Sequence, residues 1–259
     1  MGEPAIVLRT RVYRDYDVIV DLIAQDAGRI SAIARGARKS RRRFGAALTI
    51  GAILDVELAR RGGAGLYTLK SCDIQSLPKN AASELARFYQ LAYVLEIVAG
   101  VCVEGPTEEL SLRHLATYLG LLERVMPSHE QLCVWELRLM AIHGYQLQFW
   151  PCVLSGQKPD AFSLTAGGAV RRDACLQNDA GPVPTPVLRR YHDLCNRHDV
   201  RLTDTEHEWL RTLMGRAWFN ILGRPLKSSE FLGPDTFGPP IEAGDVSESN
   251  SRSTETELC

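Results

Sequence analysis

The sequence predicts an α+β chain of several domains: a small barrel of five strands, an α-helical domain, and a disordered acidic tail. Three observations carry this reading. Residues 5–77 are dominated by period-two alternation and contain no segment of helix length. From Ser83 the apolar residues recur every three or four positions, as a helix face requires. Beyond Gly233 the chain is Pro, Gly, Ser, Thr and acid with few apolar side chains, too few to repay the entropy of ordering.

In the first region Ile6, Leu8, Thr10 and Val12 alternate with Val7, Arg9 and Arg11, and residues 18–23 form a near-continuous apolar run. Asp26-Ala27-Gly28 turns the chain into a third strand over residues 29–35. Leu54, Val56 and Leu58 alternate with Asp55 and Glu57, and the glycines of residues 61–65 make a hairpin turn into a last strand over 66–74. Five short strands in this length suit a closed barrel, and an OB-fold and an SH3-like barrel read alike at this level.

The helical region starts with a face of Leu85, Phe88, Ala92, Leu95, Ala99 and Cys102, stopped by Gly105-Pro106. Thr107 is placed to cap a second helix that shows Leu115, Tyr118, Leu119, Leu122 and Val125 on one side. Ser128 with Gln131 reads as a capping box for a third, with Trp135, Leu139 and Ile142 facing a core. Residues 147–184 are irregular and rich in Gly and Pro. A helix follows over 185–198, and Thr203 with Glu206 caps another whose buried face is Leu210, Leu213, Met214, Ala217 and Ile221. The domains expected are therefore a barrel over 1–79, a helical domain over 80–232 with the insertion at 147–184, and a tail over 233–259.

Of 259 residues 45% are hydrophobic and 24% charged, ordinary for a globular chain. No apolar stretch approaches a membrane span, and the first residues carry no basic-then-apolar leader, so a cytoplasmic protein is expected. Seven scattered cysteines, an odd number, suit reduced thiols better than a disulfide framework. The net charge of −1 conceals an asymmetry. Residues 1–80 hold 14 basic and 8 acidic groups, whereas residues 231–259 hold 1 and 6. That distribution points to a polyanionic partner for the barrel.

The basic excess peaks at Arg35, Arg38, Lys39, Arg41, Arg42 and Arg43, bracketed by Gly36 and Gly45. Six like charges at this spacing repel one another unless solvent or a dense anion takes them up. Phosphates spaced along a nucleic-acid backbone supply such an anion, and releasing their counterions gives affinity without sequence preference. Phe44, Tyr13, Tyr16 and Tyr67 are candidate faces for base stacking. No phosphate-binding loop, nucleophile elbow, zincin helix or dinucleotide fingerprint occurs, so no catalytic residue and no cofactor are assigned. Cys152 and Cys175 flank the insertion as a zinc ribbon's cysteines do, but Ser155 and Arg172 stand where their partners belong. The cluster His192, Cys195 and His198 does not share one helix face. No metal site is assigned. A second class of function uses the same charges: a scaffold whose barrel binds acidic protein tails.

Taken in order, residues 13–54 with their G-A-R-K segment, "LYTLKSCDI" (66–74), "WELRLMAIHGYQLQFWPC" (135–152), "GGAV" (167–170) and "GRPLKSSEFL" (223–232) resemble the RecO family of recombinational DNA-repair proteins. The resemblance spans the chain except the tail. It implies an N-terminal OB-fold and a helical domain. It also implies binding of single- and double-stranded DNA, annealing of complementary strands, assistance in loading RecA, and RecR and the single-stranded DNA-binding protein as partners. The match of the G-A-R-K connection makes Arg35, Arg38, Lys39, Arg41, Arg42 and Arg43 the candidate DNA contacts. Many members carry a four-cysteine zinc site, of which only Cys152 and Cys175 are present here.

Overall fold

A computed structural model describes residues 2–39, 44–60, 65–176, 179–197, 200–233 and 236–237. The chain forms two compact units, one of residues 1–127 with 215–237, the other built on residues 128–214.

The first unit begins with five strands: β1 (Glu3–Tyr13), β2 (Asp17–Ala24), β3 (Gly28–Ala34), β4 (Ile53–Ala59) and β5 (Tyr67–Ser76). They close in the order β1-β2-β3-β5-β4. β3 and β5 run parallel and every other pair is antiparallel. This closed five-stranded barrel is an OB-fold. Its interior is filled by aliphatic side chains, among them Ala5, Val7, Val20, Leu22, Ala24, Ala32, Leu54, Val56 and Leu69.

One irregularity decides which way β1 presents its charges. Val7 pairs with Leu22 and Arg9 with Asp21, so Leu8 is an extra residue bulged out of the ladder. A one-residue slip exchanges the two faces of a strand. Below the bulge Ala5 and Val7 point into the barrel; above it Arg9, Arg11 and Tyr13 point outward and are exposed. Uninterrupted alternation would group Val7 with Arg9 and Arg11 on one face, and the bulge separates them.

Helices α1 (Lys79–Ser83), α2 (Leu85–Val101) and α3 (Glu109–Arg124) complete this unit with the second half of α6 (Asp204–Leu222) and a 3-10 turn at Lys227–Phe231. The face expected for α2 is corrected: Leu85 and Phe88 are exposed, whereas Leu91, Tyr93, Val94, Leu95, Ile97 and Val98 are buried. α2 packs against α1, α3, β1 and the C-terminal 3-10 turn, so its middle is covered on several sides and no single stripe marks it. On α3 Leu115, Tyr118, Leu119 and Leu122 are buried as expected, but Val125 is the exposed C-cap. The N-cap there is Glu108, after a 3-10 turn over Pro106–Glu108. Buried Gln90 on α2 accepts from Tyr118 Oη (2.7 Å) and donates to the carbonyls of Pro127 (3.2 Å) and Thr236. Past Gly233, Thr236 is buried, and residues 234–235 and 238–259, where the disordered tail is expected, lie outside the described residues.

The second unit holds α4 (His129–Ile142), a three-stranded sheet of β6 (Ala161–Ser163), β7 (Gly168–Val170) and β8 (Gly181–Pro182), α5 (Thr185–Asn196) and the first half of α6. The Ser128–Gln131 capping box forms. So does the Thr203–Glu206 pair, where Thr203 N donates to Glu206 Oε2 at 2.8 Å. Residues 147–184, read as irregular, contain this sheet; strands of two or three residues are too short to show a period. Aromatic rings fill the core between sheet and helices, with Phe149 against Phe162 at 5.2 Å and Tyr191 stacked on Trp209 at 5.1 Å. A buried ion pair, Arg211 Nη2 to Glu136 Oε2 at 2.6 Å, ties α6 to α4.

Candidate nucleic-acid interface

β1 pairs with β4 only through Glu3–Ile6 but with β2 as far as Tyr13 opposite Asp17, so the β1–β2 hairpin extends as an arm. Its turn carries Arg14 at φ 54°, in the left-handed region that a side chain normally avoids. The Arg14 guanidinium lies over the Tyr13 ring, 5.2 Å from its centroid.

The loop leaving β3 folds back onto this arm. Gly36 N donates to Asp17 Oδ1 at 2.8 Å, Arg38 N to the Tyr16 carbonyl at 3.1 Å, and Arg38 Nη1 to the Asp15 carbonyl at 3.0 Å. Gly36 takes φ +66°, which a glycine permits. The Lys39 ammonium sits 3.4 Å from the centroid of Tyr16. Arg35, Arg38 and Lys39 are all exposed, and Arg35 has no side-chain partner among the described residues. Arg41, Arg42 and Arg43 lie outside the described residues.

Beside these three, the arm adds cations that loop composition does not reveal: Arg9, Arg11 and Arg14. Arg11 pairs with Asp21 at 3.1 Å, and Ser31 Oγ donates to the same carboxylate at 2.5 Å. The signal in the sequence was Arg9-x-Arg11-x-Tyr13, basic and aromatic residues at every second position. Of the aromatic candidates, Tyr13 and Tyr16 present exposed rings, whereas Phe44 is buried in the barrel core and Tyr67 packs partly against it.

The β4–β5 face of the barrel carries more acid than base. Outward positions of β4 and β5 are Asp55, Glu57 and Asp73, joined by Lys70 Nζ, which donates to Glu57 at 2.9 Å, and Gln75, which donates to Asp55 at 2.8 Å. A polyanion approaching the barrel is drawn to the arm and its loop in preference to the strand faces of β4 and β5.

The zinc implied by the resemblance is tested by the donors in the second unit. Burial pushes the Cys152 thiol up, but the Ser155 hydroxyl and the N–H groups of Leu154, Ser155 and Arg171 outweigh it and hold it below the ordinary thiol value. The Arg171 N–H lies 3.3 Å from its sulfur. Arg172, in the place of a ligand, is a cation paired with Asp160 at 3.7 Å. Two thiols, a hydroxyl and a guanidinium do not make a closed zinc site, and these residues do not fit the metal. The loop is held by hydrogen bonds, including Arg171 to Gln157 and Asp173, and Arg172 N to Asp160 Oδ1 at 3.0 Å.

Comparison with known proteins agrees over both units. Residues 1–77 match the family model described as Recombination protein O N terminal, and residues 82–230 match Recombination protein O C terminal. The chain is 37% identical over 235 residues to the DNA repair protein RecO of Pelobacter propionicus, covering 88% of this chain and 94% of that one. It is 34% identical over 190 residues to that of Geobacter sulfurreducens, covering 73% and 77%. With that of Symbiobacterium thermophilum it shares 27% identity over 240 residues, 88% and 94% of the two chains.

Proposed function

The chain belongs to the RecO family of DNA repair proteins, and from that premise we propose that it is a non-catalytic mediator that grips DNA through the β1–β2 arm and the β3–β4 loop. Arg35, Arg38 and Lys39, with Arg41, Arg42 and Arg43 further along the same loop, take the phosphates of single- and double-stranded DNA. Counterion release drives the binding, and base sequence is left to pairing between strands. Two strands neutralised on one surface repel each other less, so complementary strands anneal. The barrel over residues 1–79 is the nucleic-acid module, and the helical region over 80–232 holds partners, RecR and the single-stranded DNA-binding protein, in a pathway that loads RecA. No helix among the described residues is long and apolar enough to cross a membrane, in keeping with work on DNA.

The observation that carries this reading is the segregation of charge around the barrel. Exposed cations and two exposed tyrosines outnumber the acids on the arm and its loop, whereas acids outnumber cations on the outer faces of β4 and β5. Titrating the purified chain, without any partner, with a labelled oligonucleotide at rising salt tests it. The expected result is binding whose logarithm falls linearly with the logarithm of salt, by about 0.7 for each single-strand phosphate engaged. A chain that binds acidic peptides but not oligonucleotide would instead be the scaffold.

A further inference from the structure

Between α2 and the 3-10 turn at Pro106–Glu108, residues 102–105 lie against the start of β3. Glu104 forms a β-bridge with Gly28, Arg29 N donates to the Val103 carbonyl at 2.8 Å, Gly105 N donates to the Ala27 carbonyl at 2.8 Å, and Arg29 Nε donates to the Cys102 carbonyl at 2.8 Å. Buried Glu108 fixes the segment from the other side by accepting from Val103 N at 3.1 Å. The approach is so close that a Cβ on Gly28 would stand 2.3 Å from the Gly105 carbonyl oxygen. Glu104 is therefore delivered by a rigid support.

Its carboxylate reaches the base of the β4–β5 loop. Arg60 Nη1 lies 3.1 Å from Glu104 Oε1, and Tyr67 Oη donates to the same oxygen at 3.2 Å. The Arg60 guanidinium covers the Tyr67 ring at 5.3 Å from its centroid. A guanidinium and a phenol converging on one anionic oxygen is the arrangement that also binds a phosphodiester oxygen. The β4–β5 loop is one of the two from which OB-folds contact oligonucleotides.

We propose that Glu104 is an internal stand-in for a backbone phosphate: in the free protein it occupies Arg60 and Tyr67, and a bound strand must displace it. Glu104 is then an affinity-setting residue that holds the β4–β5 side of the barrel at reduced strength. The inference rests on the proposed DNA binding. It adds that one contact is masked by the protein's own carboxylate, and a pair about half exposed is weak enough for phosphate to compete.

Oligonucleotide titrations of the full chain and of Glu104→Gln, Arg60→Ala and the double variant test it. Glu104→Gln should bind single-stranded oligonucleotide about two- to tenfold more tightly, with a salt slope steeper by about one phosphate. Arg60→Ala should bind no more tightly than the parent, and the double variant should match Arg60→Ala, because the gain passes through Arg60. If Glu104→Gln binds like the parent, or if its gain survives in the Arg60→Ala background, the stand-in role is wrong while the DNA-binding reading stands. If the parent itself fails to bind oligonucleotide, both fall.

Discussion

Lys39 and Tyr16 form a cation–π pair, the ammonium 3.4 Å from the ring centroid, and so join the β3–β4 loop to the β1–β2 arm. Both groups are exposed, so the contact adds little to stability. In the proposed DNA-binding role it holds a phosphate-binding charge beside a stacking face. Tyr16→Ala should therefore weaken single-strand binding by roughly tenfold, the order of one lost base–aromatic stack. Duplex binding should fall less, because paired bases are not available to stack. Anisotropy titrations with single- and double-stranded probes measure both, and equal losses would reassign the ring to loop support alone.

Replacing Lys39 or Arg38 by Ala should act on charge. Each change should lower the salt slope by about 0.7 on single strands and about 0.9 on duplex, without altering base preference. Melting temperature should hold, since exposed loop substitutions away from packing features lie within about 0.5 kcal/mol.

Gly28→Ala should be costly for its position. The residue takes φ +70°, and the added Cβ meets the carbonyls of Val103 and Gly105 at 2.6 and 2.3 Å. Left-handed strain plus displacement of residues 102–105 should destabilise the chain by about 2–4 kcal/mol, read from chemical denaturation. An alanine tolerated without loss would mean that residues 102–105 detach freely from β3.

The C-terminal Leu-Lys-Ser is tied down by one carboxylate. Glu96 accepts from Arg224 Nη1 (2.8 Å), Lys227 N (3.1 Å), Ser228 N (2.9 Å) and Ser228 Oγ (2.6 Å). Burial raises its pKa, but Ser228, Arg224 and Lys227 outweigh that and bring it to about 2. Since the folded value lies below the unfolded one, its contribution is complete above about pH 4.5 and is lost as pH falls toward 2. Glu96→Gln should cost about 1–3 kcal/mol at neutral pH and flatten that part of the acid profile.

Because Ser155 and Arg172 stand where a zinc site beside Cys152 and Cys175 needs two further ligands, metal chelation should leave the melting temperature of the purified chain unchanged. A structural zinc would contribute folding energy outright and its removal would lower the midpoint steeply. Elemental analysis before and after chelation checks the same point.

What the sequence made legible follows from how local each signal is. The two capping boxes were readable because each lies within four residues, and the barrel strands because their turns are marked by Gly and Asp. The outward aim of Arg9 and Arg11 was not readable, since it depends on a bulge at Leu8 that only pairing with β2 defines. The face of α2 was hidden because neighbours cover several of its sides. Within the candidate site, Arg35, Arg38 and Lys39 announced themselves by charge density. Glu104 meets Arg60 and Tyr67 across about 40 residues of chain, and no local pattern marks such a meeting.

In the second unit His129 stacks on His207 at 4.9 Å, and His207 Nε2 lies 2.8 Å from Glu130 Oε1. Burial, then the charges of His207 and Arg211, lower the His129 pKa from 6.5 to about 4. An unfolded chain takes up that proton near pH 6.5 and the folded chain refuses it until about 4, so stability falls as pH drops between these values. Burial raises Glu130, but its bonds from His207, its own N–H and Ser128 dominate and bring it to about 2. Its contribution, present above about pH 4.5, is lost as pH falls from there toward 2. Denaturation midpoints should thus decline in two stages on acidification. His129→Phe, which keeps a ring against His207 but cannot protonate, should abolish the upper stage and leave the lower. Loss of both stages together, or of neither, would show that the two groups do not titrate as their surroundings require.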